Sequence, residues 1–175
     1  NKELQVFKEH TDTIYCIEFS PFSGNRYLCS GSNDKTIRLW DIENSNTLYV
    51  FNGHTNGIRC IDISPLQSNY NKNNDNYKAL IGGGGYTICS GSFDQTIRVW
   101  DIETAKQLNV FKEHTRCVNC VKYGSNELGN IGYSNTILSG SWDKSVCLWD
   151  IRSNQQIQVF NGHTSPVYAV EYSPF

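Results

Sequence analysis

The sequence predicts an all-β fold built from repeated four-stranded units, and three observations carry that reading. Four histidines, His10, His54, His114 and His163, are each followed by threonine. Three segments, SGSNDKTIRLWDIE from Ser30, SGSFDQTIRVWDIE from Ser90 and SGSWDKSVCLWDIR from Ser139, are near copies of one another. Short runs of β-branched and aromatic residues fill the intervals and alternate with turn signals, the pattern of strands. No segment shows helical periodicity.

The elements follow in order. The opening LQVFKEHT matches LYVFNGHT, LNVFKEHT and IQVFNGHT further on, so it reads as a last strand without its own unit. After each His-Thr comes a first strand: IYCIEFSP, IRCIDISP, VNCVKYGS and VYAVEYSP. Each SGS segment then supplies a second strand, a tight turn and a third strand ending in Trp, and the LYVF-type run supplies the fourth. The histidines are spaced by 44, 60 and 49 residues. The shortest interval fits the roughly 40–45-residue period of a four-stranded propeller blade. The longer two differ by insertions between first and second strands, from Leu66 to Gly85 and, shorter, from Gly124 to Asn135. The repeats are about 10–51, 54–111 and 114–160, with a partial one at 163–175.

The His-Thr followed by SGSxDxTIRxWDI at this spacing resembles the WD-repeat (WD40) β-propeller family, and the resemblance covers essentially the whole chain. One departure is Glu9 and Glu113, which stand where the family usually has glycine before the histidine; Gly53 and Gly162 conform. Propellers close at roughly four to eight blades. The chain is therefore expected to form an incomplete arc of about three full blades plus flanking strands of partial ones. The remaining blades would belong to a longer protein, and the open strand edges would be prone to association.

Composition narrows the function classes. Hydrophobic residues make up 38% and aromatics 13% of 175 residues, which suits an ordered domain. No apolar run approaches the length of a membrane span. The net charge is −2 and basic residues are scattered singly, so no nucleic-acid footprint is visible. There is no methionine and no signal-peptide-like start.

Of the seven cysteines, Cys117 and Cys120 have the spacing of a metal hairpin, but no second pair completes a site. Cys16, Cys60 and Cys120 share one aligned position, where the fourth unit has Ala169; Cys29 and Cys89 share another, where the third has Leu138. Alternation with Ala and Leu suits packing as small hydrophobes. Reduced thiols favour an intracellular compartment, cytoplasmic or nuclear, and the absence of any Asn-x-Ser/Thr acceptor agrees with that. No cofactor or metal is expected.

Each unit holds His, Ser and Asp: His10, Ser30 and Asp34; His54, Ser90 and Asp94; His114, Ser139 and Asp143. These are the residue types of a serine hydrolase. With Trp40, Trp100 and Trp149 added, a second reading opens. Indole only donates, serine and neutral histidine do both, and carboxylate only accepts, so a Trp→Ser→His→Asp chain satisfies every polar group. The resemblance implies such a structural tetrad at these positions. Three copies on successive blades also argue against catalysis, which needs one site.

The pair Trp142-Asp143 and Trp149-Asp150 shares letters only. Trp149 closes a tetrad, whereas Trp142 aligns with Asn33 and Phe93, at a position the core does not dictate. The resemblance implies that this turn position lies on the propeller's top face near the central channel. Residues flanking the first apolar residue of each first strand should face the same way: Thr13 and Tyr15, Gly57 and Arg59, Cys117 and Asn119, Pro166 and Tyr168. Tyr15, Asn33, Arg59, Phe93, Asn119, Trp142 and Tyr168 are thus the candidate partner-binding residues, rich in the types that dominate binding hot spots. The insertion 66–85 should emerge on the opposite face as a polar, Asn- and Gly-rich loop. Its glycine run is followed by Tyr-Thr, not by the Lys-Ser/Thr of a phosphate loop.

The expected function is a non-catalytic scaffold presenting propeller-face loops to peptide or protein partners in a multiprotein complex, with no direct nucleic-acid or membrane contact. The alternative is a regulatory or sensor propeller within a larger multidomain enzyme, a kinase or NTPase.

Overall fold

The computed structural model describes residues 5–21, 23–64, 86–124 and 135–173. Twelve strands fall in three groups of four: β1 Ile14–Phe19, β2 Tyr27–Ser32, β3 Thr36–Asp41 and β4 Asn46–Asn52; β5 Ile58–Ile63, β6 Thr87–Ser92, β7 Ile97–Asp101 and β8 Gln107–Phe111; β9 Val118–Tyr123, β10 Thr136–Ser141, β11 Val146–Asp150 and β12 Gln155–Phe160. Each group is one antiparallel sheet with strands in sequence order. These are the blades. No α-helix occurs among the described residues.

Two turns per blade fix the registers. Between second and third strands, Lys35, Gln95 and Lys144 adopt φ of 72°, 71° and 73°. The aspartate before each stabilises that bend by accepting from the residue after it, as Asp34 Oδ1 does from Thr36 N at 3.0 Å and Thr36 Oγ1 at 2.6 Å. Between third and fourth strands, Ser45, Ala105 and Asn154 take the same left-handed conformation. There the aspartate of the Trp-Asp pair accepts backbone amides: Asp41 from Glu43 at 3.0 Å, Asp101 from Thr104 at 2.7 Å, Asp150 from Arg152 at 2.9 Å. The aspartates of Trp142-Asp143 and Trp149-Asp150 therefore both build turns, at opposite ends of β11.

The core lies between blades. Ile37, Leu39, Phe51, Ile58, Ile61, Ile88 and Trp100 form one apolar layer where the first blade meets the second. Ile97, Val99, Phe111, Val118, Val121, Ile137 and Trp149 form the equivalent layer between the second and third. Three last-strand phenylalanines pack on the next blade's tryptophan: Phe7 on Trp40, Phe51 on Trp100 and Phe111 on Trp149, with ring centroids 5.3, 6.1 and 5.1 Å apart. The first strands stand side by side, β1 against β5 and β5 against β9.

Residues 5–13 and 161–173 are in no ladder. The described parts of the opening run, which reads as a last strand, and of the fourth VYAVEYSP segment, which reads as a first strand, are thus unpaired among the described residues. The latter still packs on the third blade: Val167 is buried, and its amide donates to Ser141 O at 3.0 Å. The 66–85 insertion lies outside the described residues, as do 125–134 of the shorter one.

Candidate functional site

The His, Ser, Asp and Trp of each blade meet in one buried chain. Trp40 Nε1 donates to Ser30 Oγ at 2.8 Å, that oxygen lies 2.7 Å from His10 Nε2, and His10 Nδ1 lies 2.7 Å from Asp34 Oδ2. In the second blade the corresponding distances through Trp100, Ser90, His54 and Asp94 are 2.9, 2.8 and 2.8 Å. In the third, through Trp149, Ser139, His114 and Asp143, they are 2.7, 2.8 and 2.7 Å. Because the carboxylate can only accept, histidine carries its proton on Nδ1, and its bare Nε2 accepts the serine hydroxyl. The serine proton is already committed, and the indole donor occupies another of the oxygen's sites. Glu9 and Glu113, in the glycine position, leave the histidine distances unchanged; Glu9 instead accepts from Arg38 Nη1 at 2.6 Å.

The charge state follows from these contacts. Burial pushes the Asp34 carboxyl up, but hydrogen bonds from Thr36, His10 and the Thr11 amide outweigh it and bring it to about 2. Asp143 is likewise held at about 2, burial being outweighed by Ser145 and His114. Burial pushes His54 below its usual 6.5 despite Asp94. The pair is neutral imidazole beside carboxylate.

Two further residues per blade extend the network. The second serine of SGS, Ser32, Ser92 or Ser141, donates to a carbonyl of the segment entering the first strand. The same oxygen accepts the turn aspartate's amide at 3.1, 3.0 and 3.0 Å. Thr36, Thr96 and Ser145 donate to the tetrad aspartate at 2.6, 2.7 and 2.6 Å. Sequence reasoning missed both roles; the recurrence of SGSxDx followed by Thr or Ser was the available signal.

A different set of side chains gathers at the turn end of the blades. The amides of Asn33, Phe93 and Trp142 donate to Thr13, Gly57 and Cys117 carbonyls at 2.8, 3.0 and 2.9 Å, joining each variable turn residue to the start of its first strand. Each first strand is bulged there. Ile14 pairs with Ser32 and Cys16 with Gly31, so Tyr15 is the extra residue; Arg59 and Asn119 are extra in the same way in β5 and β9. A bulge re-aims the unpaired side chain.

Tyr15 and Phe93 meet edge to face with centroids 5.7 Å apart, and the Arg59 guanidinium lies 5.3 Å from the Tyr15 ring centre. Gly57 sits in the gap between Asn33 and Phe93: a Cβ there would be 2.5 Å from Asn33 Oδ1 and 3.3 Å from the Phe93 ring. Asn33 Nδ2 donates to Asp12 at 2.7 Å. Tyr15, Trp142 and Tyr168 are 38%, 42% and 61% exposed. Asn119 is placed differently. It is buried, and its amide donates to Val167 O at 2.8 Å, so it ties the last segment to the third blade.

The cysteines are free thiols, five of them buried and Cys16 and Cys120 partly so. Burial pushes Cys16 up to about 12 and Cys117 and Cys120 up to about 11. No cluster of three or more potential metal ligands occurs among the described residues.

Antiparallel four-stranded blades in sequence order, each pinned by one Trp–Ser–His–Asp chain, define an arc of a WD-repeat propeller. The chain belongs to the WD domain, G-beta repeat family, whose profile matches residues 1–41, 45–101, 105–150 and 154–175. These matches start one strand earlier than the blades, taking in the preceding last strand. The chain is 29% identical over 120 residues to Autophagy-related protein 16 of Arabidopsis thaliana, covering 67% of this chain and 19% of that protein. It is 35% identical over 125 residues to WD40 repeat-containing protein HOS15 of the same plant, covering 71% and 19%. With Cell division control protein 4 of Saccharomyces cerevisiae it shares 29% identity over 116 residues, covering 65% and 12%. The chain thus spans less than a fifth of the length of these relatives. No helix among the described residues is long and apolar enough to cross a membrane.

Proposed function

We propose that these blades form a non-catalytic scaffold whose turn-end face binds peptide or protein partners within a multiprotein complex. WD-repeat membership supports a protein-interaction scaffold in general. The observation that carries the finer reading is the convergence of Tyr15, Arg59 and Phe93, from two blades, with Trp142 exposed at the equivalent turn of the third. Rigid aromatics offer large contact area at low entropic cost, and Tyr and Trp add a polar handle. The tetrads stabilise the blades. Each serine is locked between an indole donor and a histidine acceptor, and the arrangement recurs on every blade. Packed, protonated thiols suit a reducing compartment, cytoplasm or nucleus.

The test is affinity capture from cell lysate with the full-length protein, wild type against Phe93→Ala combined with Trp142→Ala. Thermal melting checks that both are equally folded. Loss of specific partners from the double variant is the expected result. Unchanged capture would remove these aromatics from the contact surface.

A further inference from the structure

Five cationic side chains among the described residues are partly buried: Arg26, Arg38, Arg59, Arg98 and Lys122. Four of them have an anionic or polar side-chain partner. Arg26 binds Asp41 at 2.8 Å and Arg38 binds Glu9 at 2.6 Å. Arg98 bonds Gln107 and lies 4.0 Å from Asp94, and Lys122 lies 3.3 Å from Asp62. Arg59 is the exception. It makes no hydrogen bond or ion pair among the described residues, only the cation–π contact with Tyr15 at 5.3 Å. The carboxylates of the same face are engaged elsewhere. Asp12 is held by Asn33 and the Thr13 amide, and Asp94 by His54, Thr96 and the Thr55 amide.

A guanidinium that has lost part of its hydration and gained no acceptor is poised for one. Stacking on Tyr15 leaves its N–H donors unused, in the planar fork that matches an oxyanion. The bulge in β5 is what turns Arg59 toward the face, since it is the unpaired residue between Ile58 and Cys60. Beside it, Tyr15 and Phe93 form an aromatic wall.

We infer that Arg59 is the specificity-determining residue of this face and takes an oxyanion, a carboxylate or phosphoryl group, of a partner peptide whose neighbouring apolar side chain packs on Tyr15 and Phe93. The inference rests on the partner-binding reading above and names the chemistry the partner must carry. Arg59 thereby gains the acceptor that the other partly buried cations find within the chain.

The experiment screens the immobilised full-length protein against a display library of random peptides. A parallel synthetic panel replaces acidic positions of the enriched sequences with phosphoserine or with the neutral amide. Enriched sequences should share an Asp or Glu next to an aromatic or aliphatic residue, and Arg59→Gln should weaken them about tenfold or more. Arg59→Lys should recover part of that loss, keeping charge but not the fork. Phosphoserine binding more tightly than Glu assigns the oxyanion to a phosphoryl group; the reverse assigns it to a carboxylate. Melting curves confirm that the variants are folded. If enriched peptides lack an acidic residue and bind Arg59→Gln as well as wild type, yet are lost on Phe93→Ala with Trp142→Ala, the inference fails and the partner-binding face stands. If no peptide is enriched, or enrichment ignores all variants, both readings fall.

Discussion

Val118 of the third blade occupies the space that a side chain on Gly91 of the second would need, since a Cβ there would lie 2.6 Å from Val118 Cγ1 and 2.6 Å from Cys60 Sγ. The contact recurs around the arc. A Cβ on Gly31 would lie 2.7 Å from both Cys16 Sγ and Ile58 Cγ2, and one on Gly140 would lie 2.5 Å from Val167 Cγ1 and 2.7 Å from Cys120 Sγ. The glycine in each SGS is thus the point where one blade's second strand accepts the next blade's first strand or, at Gly140, the segment carrying Val167, with a first-strand cysteine as the adjoining filler.

Gly91→Ala should therefore destabilise the protein by about 1–3 kcal/mol, the usual cost of forcing extra carbon into a packed core. β-branched Val118 has few rotamers with which to yield. Urea unfolding would read this as a lower midpoint. Adding Val118→Ala should relieve the clash, so the double variant should lose less than the sum of the two singles. Additive losses would mean that these residues do not share the space.

Ser90→Ala tests whether the tetrad serines hold structure or do chemistry. Trp100 Nε1 and His54 Nε2 both lie within 2.9 Å of Ser90 Oγ. Without that oxygen, a buried donor and a buried acceptor are both stranded, at about 1–3 kcal/mol each. Stability should fall markedly, and background hydrolysis of a p-nitrophenyl ester should be the same in both proteins. A folded variant that had lost a measurable esterase activity of the wild type would make Ser90 a nucleophile.

Much of this was legible in the sequence because the repeat is compared with itself. Position-by-position agreement of SGSNDKTIRLWDIE with SGSFDQTIRVWDIE separates framework from variable residues, and so Asn33, Phe93 and Trp142 stand out without any structure. The blades follow from the same registration; the linking of His, Ser, Asp and Trp came instead from donor and acceptor chemistry and from the family resemblance. The bulges were not legible. Tyr15, Arg59 and Asn119 share an aligned position, yet their environments differ because of what lies beside each. Tyr15 finds Phe93 and Arg59, while Asn119 finds the Val167 carbonyl and is buried. Pairing across blades depends on neighbours far apart in sequence, which alignment of repeats does not supply. The same holds for Gly91 and Val118.

The packing of one blade's last strand on the next blade's tryptophan gives a comparison within a single strand. Phe111 is 2% exposed and packs on Trp149, whereas Leu108, three residues earlier in β8, is 52% exposed. Phe111→Ala should cost about 3–5 kcal/mol through lost contacts and the cavity left behind. Leu108→Ala should stay within about 0.5 kcal/mol. The pair is read from denaturant midpoints at constant m-value. Similar losses at both positions would mean that the interblade layer is not where stability is concentrated.

Stability should also depend on pH in two separate windows, one set by the tetrad histidine His54 and the other by the tetrad aspartates Asp34 and Asp143. His54 is pushed below its ordinary 6.5 by burial, with Asp94 opposing. The unfolded chain takes up a proton near 6.5 that the folded chain resists, so its stabilising contribution is complete above that pH and declines as pH falls below it. Asp34 and Asp143 sit at about 2 against 3.8 in the unfolded chain, because their hydrogen bonds outweigh burial. Their contribution is complete above 3.8 and is lost as pH falls toward 2. Urea midpoints taken from pH 8 downward should be level at first, decline gently below about 6.5, and fall steeply between about 4 and 2. His54→Gln should be less stable throughout and should have a shallower slope in the upper window, with the lower fall retained. An unchanged upper slope in that variant would mean that His54 binds a proton as readily in the folded blade as in the unfolded chain.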